Sequence, residues 1–482
     1  MPLVAAPIVA LLGRKIGKRT GWIVAAILFY TTFLLLLTGI ELNGTSHTEQ
    51  YVWSTAIFNL KLGFMADGLG LPVAFIMNLV CAASAVYSVR YMEHRIEQLY
   101  GEANRNMYAV YYSMYLLFSI GLVGVALSTS LIELYVFVEL VLIPSYFMID
   151  LFGYEDRHRI AMMYFIWNHV GAALFLIGTV LAFSGNGGSF DITRLSNISG
   201  TSLGFWVCLL ILVGWLVKMA TFGFHVWLPY AHGEHPTSIA AIIATIVGLG
   251  NYVIVRLLYG QMLASFRVFS TPLMILALIT MIYGALLTLA QDDVKRLYAC
   301  STISQTSYSL LGIASLTTFG VAGGVFYFLS HTLGKCILFS IAGILITQTG
   351  VRDMKQMGGL ARKMPLTATL CILGSMILAG IPPLSGFQAE WIMFVGIFQN
   401  GQAFSLNLAI AVIGIFTIVL TTVYAFWPMI RIFFGQVPEH LENVKEAPLS
   451  MTLPLFVLAI VSFLMGVFPN LIMQLLQNVL HI

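Results

Sequence analysis

The sequence predicts an all-α polytopic membrane protein of about fourteen transmembrane helices. Three observations carry that reading. Hydrophobic residues make up 59% of the 482 positions and charged ones only 9%, where soluble domains carry about 25%. The apolar residues form continuous runs, not alternating ones, so strands are not expected. Lys and Arg fall mostly between alternate runs, as the positive-inside rule requires.

A helix crosses the hydrocarbon core in about 20 residues. Runs of that kind lie near 1–12, 22–41, 71–91, 109–128, 131–151, 160–183, 204–230, 236–260, 271–290, 299–317, 319–347, 368–396, 405–434 and 450–481. With the N-terminus on the outer side, only Lys61, Arg194, Arg256 and Arg267 of the 23 Lys and Arg fall in outer loops. Lys218 and Lys335 lie inside spans, and the remainder, Lys295 and Arg352 among them, fall in inner loops. An even number of spans returns the C-terminus to the outer side. The charges at Arg14, Lys15, Lys18 and Arg19 follow the first apolar run, which is the reverse of a cleavable signal.

Tyr164-Phe165 and Tyr327-Phe328, Gly171 and Gly334, and Gly223-Phe224 and Gly386-Phe387 recur at one shared offset. The offset pairs helices 4–8 with helices 9–13. Five helices is an odd number, so the two units are expected to be inverted, as in many transporters. The chain then divides into 1–105 (helices 1–3), 106–262 and 263–436 (the two repeats) and 437–482 (helix 14). Pro229 in helix 7 and Pro382-Pro383 in helix 12 should break those helices.

Composition excludes several classes. A net charge of +3 offers nothing to nucleic acid. The five cysteines, Cys81, Cys208, Cys300, Cys336 and Cys371, stand singly with no C-x-x-C spacing, and no glycine-rich nucleotide fingerprint is present. No cofactor and no metal site are expected, so any redox chemistry belongs to another polypeptide.

Charges inside spans cost about 2.5–3.5 kcal/mol each at the helix centre, which makes function their default explanation. Glu139, Lys218, Lys335 and Glu390 are of this kind. Buried ion pairs that merely lock helices together are the alternative. A carboxylate near a lysine, separated or approached by a few ångströms, changes the proton affinity of the amine. Lysine suits such a switch because it can release a proton and arginine cannot. His225, His232 and His235 surround the helix 7 break, and His331 sits one turn before Lys335. They are candidates for proton relay, with interfacial loop histidines as the plainer reading; H-x₆-H-x₂-H is no standard metal spacing. Glu133 and His169 are secondary candidates, His169 also as a packing residue.

The stretches FVELVLIPSY, KMATFGFHVWLPYAH, QDDVKRLYACSTISQTSY, LSHTLGKCILF and IPPLSGFQAEW resemble the marker sequences of the antiporter-like, proton-conducting subunits of complex I, membrane-bound hydrogenases and multisubunit cation/proton antiporters. The resemblance covers roughly residues 70–435. It implies that Glu139 and Lys218 form the switch of the first half-channel, that His225 and His232 follow its break, that Lys335 links the halves, and that Glu390 is the exit residue. Glu390 in Gly386-Phe387-Gln388-Ala389-Glu390 is similar to the M-type pattern, as is the absence of a long lateral helix after helix 14. The family's helix 8 lysine is missing, with Gly248 near its level, and His235 stands where a small residue is usual.

The implied function is proton translocation across a coupling membrane, in the cell membrane of a prokaryote or an organelle, as a non-catalytic subunit of a complex I-type respiratory oxidoreductase. Its partners would be the lipid bilayer, neighbouring membrane subunits and, through them, a redox arm on the inner side. The transported ion would be the proton, with sodium as a second candidate. The rival readings are a sodium/proton antiporter or hydrogenase-type subunit and, in a different class, a non-conducting membrane scaffold.

Overall fold

The computed structural model describes residues 1–54, 59–101, 104–399 and 406–480. The chain is mostly helical, and ten helical segments among the described residues are long and apolar enough to cross a membrane. The protein is therefore a multi-pass membrane protein.

Helices α1 (Pro2–Ile16) and α2 (Thr20–Leu42) are joined by a tight turn at Gly17, whose φ of 58° favours glycine. An antiparallel hairpin follows, β1 (His47–Ser54) and β2 (Asn59–Ala66), with His47 opposite Ala66. These strands contradict the expectation of helices alone. The segment lies between two spans and carries short mixed stretches such as HTEQYVWS, so its backbone pairs across strands without needing a long apolar run.

The bundle continues with α3 (Gly70–Tyr100), α4 (Arg105–Leu127), α5 (Leu131–Phe152), α6 (Arg157–Gly185), α7 (Ser202–Lys218), α8 (Trp227–Glu234) and α9 (Thr237–Val253). A π-helical turn, Ile254–Tyr259, extends α9. Then come the short α10 (Leu263–Phe266), α11 (Ser270–Leu289), α12 (Val294–Ala314), α13 (Thr318–Thr349), α14 (Pro365–Leu378), α15 (Ser385–Gln399) and α16 (Leu406–Phe433). The run expected as one helix over 450–481 is two, α17 (Leu449–Val467) and α18 (Asn470–Leu480), because Phe468 leaves the helix with ψ 65° and Pro469 follows it; residues 481–482 lie outside the described ones. The α18 backbone seats on Gly68, where an added Cβ would stand 1.8 Å from the Leu475 carbonyl oxygen.

Helices α3, α9 and α13 are almost wholly buried, while α1, α2, α6 and α16 turn much of their apolar surface outward. The polar helix α12 is also enclosed: Ser301, Thr302, Ser304, Gln305, Thr306, Ser307 and Ser309 are all buried. Their hydroxyls bond mostly to nearby helix carbonyls, as Thr302 does to Tyr298 at 3.1 Å.

Two charged residues leave the places their sequence position suggested. Arg256, expected in an outer loop, is 6% exposed. It grips Asp67 with Nη1 at 2.6 Å and Nη2 at 2.7 Å, and its Nε reaches the Tyr252 hydroxyl at 3.0 Å. Lys295, expected in an inner loop, is fully buried. Both sit within a turn or two of a helix end, where hydropathy alone cannot tell a loop charge from one folded inward.

Candidate functional site

Helix α7 stops at Lys218, before Pro229. Ala220 adopts φ 52° and Gly223 φ 93°, so the chain leaves the helix there. The freed carbonyls are claimed: Leu216 by the N–H and hydroxyl of Thr221, and Val217 by the indole N–H of Trp227 at 3.2 Å. Pro229 instead lies in the first turn of α8, where a missing N–H is harmless. The break is therefore set by Ala220 and Gly223, and Pro229 merely starts the next helix.

Lys218 is 5% exposed and makes no ion pair among the described residues. Glu139 on α5 is within its electrostatic reach. The nearest ionic partner of Glu139 is His169 Nδ1 on α6, 3.6 Å from Oε1. So the expected Glu139–Lys218 couple is a pair at a distance, and His169 is drawn into it. A cavity of about 10 Å³, lined by Lys218, Asn168, Tyr164, Trp215, Ile246 and Leu249 among others, lies beside the amine. That is close to the room one water needs.

The second break spans 379–384, where Gly380 has φ 60°. Glu390 on α15 is 5% exposed with Oε1 unpartnered. A Cβ on Gly380 would stand 2.1 Å from its Oε2, so the glycine makes room for the carboxylate.

Between the breaks lies a third group. Lys335 on α13 is fully buried; its Nζ donates to the Tyr298 carbonyl at 2.9 Å and to the Ser301 hydroxyl. No acidic side chain lies within 4 Å of it among the described residues. His232 and His331 are buried with both ring nitrogens unpartnered. Buried imidazoles without partners are costly unless water visits them. His235 donates from Nδ1 to the Ala231 carbonyl at 2.7 Å, which leaves Nε2 free. His225 lies 3.0 Å from the Tyr283 hydroxyl.

Glu133 stands apart from these. It accepts from the N–H of Thr129 at 3.1 Å and of Gly63 at 3.4 Å, while Ser130 caps its own N–H. That is a capping box tying the hairpin to α5.

Helix α9 separates the Lys218 cavity from Lys335. At Gly248 an added Cβ would meet the Phe328 ring at 2.5 Å, so the level of the missing lysine is filled by an aromatic ring. Thr245 and Asn251 on the same helix each keep one unpartnered buried oxygen.

Sequence reasoning missed buried Lys295, Glu234 and Arg95, which with the partly exposed Arg352 form a charge cluster at the Lys/Arg-rich end. The usable signal for Lys295 was its position two residues after the Asp293 cap, in the first turn of the polar helix α12. Among the described residues no three His, Cys, Asp or Glu side chains converge as metal ligands.

Compared with known proteins, residues 128–421 match the family described as NADH:quinone oxidoreductase/Mrp antiporter, TM. The F(420)H(2) dehydrogenase subunit M of Methanosarcina mazei is 32% identical over 381 residues, covering 76% of this chain and 75% of that protein. The NAD(P)H-quinone oxidoreductase chain 4-2 of Synechocystis is 28% identical, over 93% of this chain and 80% of that one. A chain in the Mrp complex from Dietzia superposes with a TM-score of 0.86 over 99% of this chain and 95% of that chain; at 22% identity this speaks for the fold alone.

Proposed function

Because the chain belongs to the NADH:quinone oxidoreductase/Mrp antiporter transmembrane family, we propose that it translocates protons as the M-type, antiporter-like subunit of a complex I-type respiratory oxidoreductase. The observation that carries this is the placement of Lys218 and Glu390 at two helix breaks, with Lys335 and unpartnered imidazoles enclosed between them. Buried groups that gain and lose protons, set beside irregular backbone, are the ingredients of a gated path.

The path runs through Glu139, His169 and Lys218, then the His225–His235 segment, His331 and Lys335, to Glu390. Two inverted five-helix units on a fourteen-span scaffold would hold it, with boundaries near 106–262 and 263–436. Supporting this, α5 and α12 begin at Leu131 and Val294, and α7 and α14 at Ser202 and Pro365, the separation that relates Gly171 to Gly334. The isolated bridge of Ser130 with Asp191 recurs as that of Asp293 with Asp353. Both termini would lie on the outer side. The relatives named above support neighbouring membrane subunits as partners; on this reading electron transfer would lie in a separate arm, with no catalytic turnover in this chain.

The test is proton translocation per electron by the assembled complex in sealed vesicles. Lys218→Ala and Glu139→Gln should each lower it several-fold with assembly intact on native gels. Normal pumping by either would overturn the switch.

A further inference from the structure

Lys295 is the third buried lysine of the bundle, and the proposed path leaves it without a role. Its Nζ donates to the carbonyls of Gly233, at 3.0 Å, and His235, at the C-terminal end of α8. The Tyr154 ring centroid lies 4.2 Å from it. The charged groups facing it are Glu234, the last residue of α8, Arg352 from the loop after α13, Arg95 from α3 and Asp293 before its own helix.

These groups grade from accessible to enclosed. Arg352 and Asp293 are 20% and 25% exposed and pair at 2.8 Å. Glu234 is 3% exposed; it lies 3.9 Å from Arg352 and accepts the Glu155 N–H at 2.9 Å. Lys295, behind them, is fully buried.

On its far side the acceptors are imidazoles. The Ala231 carbonyl can only accept, so His235 carries its proton on Nδ1 and presents an unprotonated, unpartnered Nε2. The His232 ring is 6.5 Å away, a separation that water can bridge. On α12, Lys295 lies one turn from Tyr298, whose carbonyl holds Lys335.

We propose that Lys295 is the entry relay of this protein, taking protons from the Lys/Arg-rich face and passing them to the His235–His232 pair. In the step an Nζ–H bond breaks and its electron pair stays on nitrogen. The proton moves through water to His235 Nε2, and the amine is reprotonated from the Arg352–Asp293 side. A neutral amine keeps two N–H bonds, one for each carbonyl, so release leaves neither Gly233 nor His235 unsatisfied. Arginine would keep the charge and the donors and could not release the proton.

The inference rests on the proposed proton path, so Lys218→Ala is measured alongside. The experiment compares Lys295→Arg, Lys295→Gln and Lys295→His in the assembled complex in sealed vesicles, reading protons per electron against pH. Lys295→Arg should assemble and lose on the order of tenfold or more in translocation. Lys295→His should recover part of it, with the profile moved toward the imidazole range near pH ~6.5. Normal pumping by Lys295→Arg or Lys295→Gln would make the lysine a positioning group and overturn the relay. If Lys295→Arg fails to assemble, Lys295→His decides: a shifted profile supports the relay, and an unshifted profile or no pumping overturns it. Normal pumping by Lys218→Ala would instead overturn the proton path itself.

Discussion

Arg256 holds Asp67 through two parallel hydrogen bonds, at 2.6 and 2.7 Å, and so ties the start of α3 to the π-helical end of α9. Burial opposes ionisation of Asp67, but the guanidinium and the N–H groups of Leu69 and Gly70 outweigh it and hold the carboxyl below its ordinary range. Removing one partner of such a buried pair costs about 3–5 kcal/mol. Asp67→Asn should therefore lower the unfolding midpoint of the purified protein. A carboxyl with a depressed native pKa stabilises the fold above its unfolded value of about 3.9 and ceases to as pH falls through the native value. The gap between wild type and Asp67→Asn should thus be full near neutral pH and close on acidification, as thermal melts across pH would record.

Glu390→Gln keeps the size of the side chain and cannot titrate. It should assemble and slow translocation several-fold, while Glu390→Asp should retain part of it. Protons per electron in vesicles is the measurement; a normal ratio with glutamine would make the acid structural.

Lys335→Ala should damage pumping at least as much as Lys218→Ala, because α9 offers no third lysine between them. A fully active Lys335→Ala protein would mean that protons bypass the second unit.

Restoring a lysine at Gly248 alone should fail. Its Cβ would meet Phe328 at 2.5 Å, and overpacking of this kind costs about 1–3 kcal/mol. Gly248→Lys should lower the yield of folded protein, and Gly248→Lys with Phe328→Ala should recover it. Equal yields from both would show that the ring moves freely.

Glu133→Ala should cost about 0.5–2 kcal/mol through the lost cap and leave protons per electron unchanged. A loss of pumping at full stability would move Glu133 into the path.

Glu139, Lys218, Lys335 and Glu390 stood out because a charge in mid-span has no cheap explanation, and breaks in helices 7 and 12 were legible from Pro229 and Pro382-Pro383, although Ala220 and Gly223 set the first of them. Lys295 and Arg256 were not. Near a helix end an insertion cost vanishes, and only the fold decides whether a side chain turns outward or reaches a carbonyl. The 47–66 hairpin escaped for another reason: a single antiparallel pair between spans leaves no repeat to read. His169 was a secondary candidate with packing as its alternative, and α5 and α6 place it 3.6 Å from Glu139.

The contact of Phe328 with Gly248 also has an electrical meaning. Across an energised membrane each elementary charge that leaks releases about 2.3 kcal/mol per 100 mV. A ring packed against bare backbone, on the helix that separates the Lys218 cavity from Lys335, is a thin layer of insulation. Its thickness is a single residue, so a charge crossing here would have one aromatic side chain to displace.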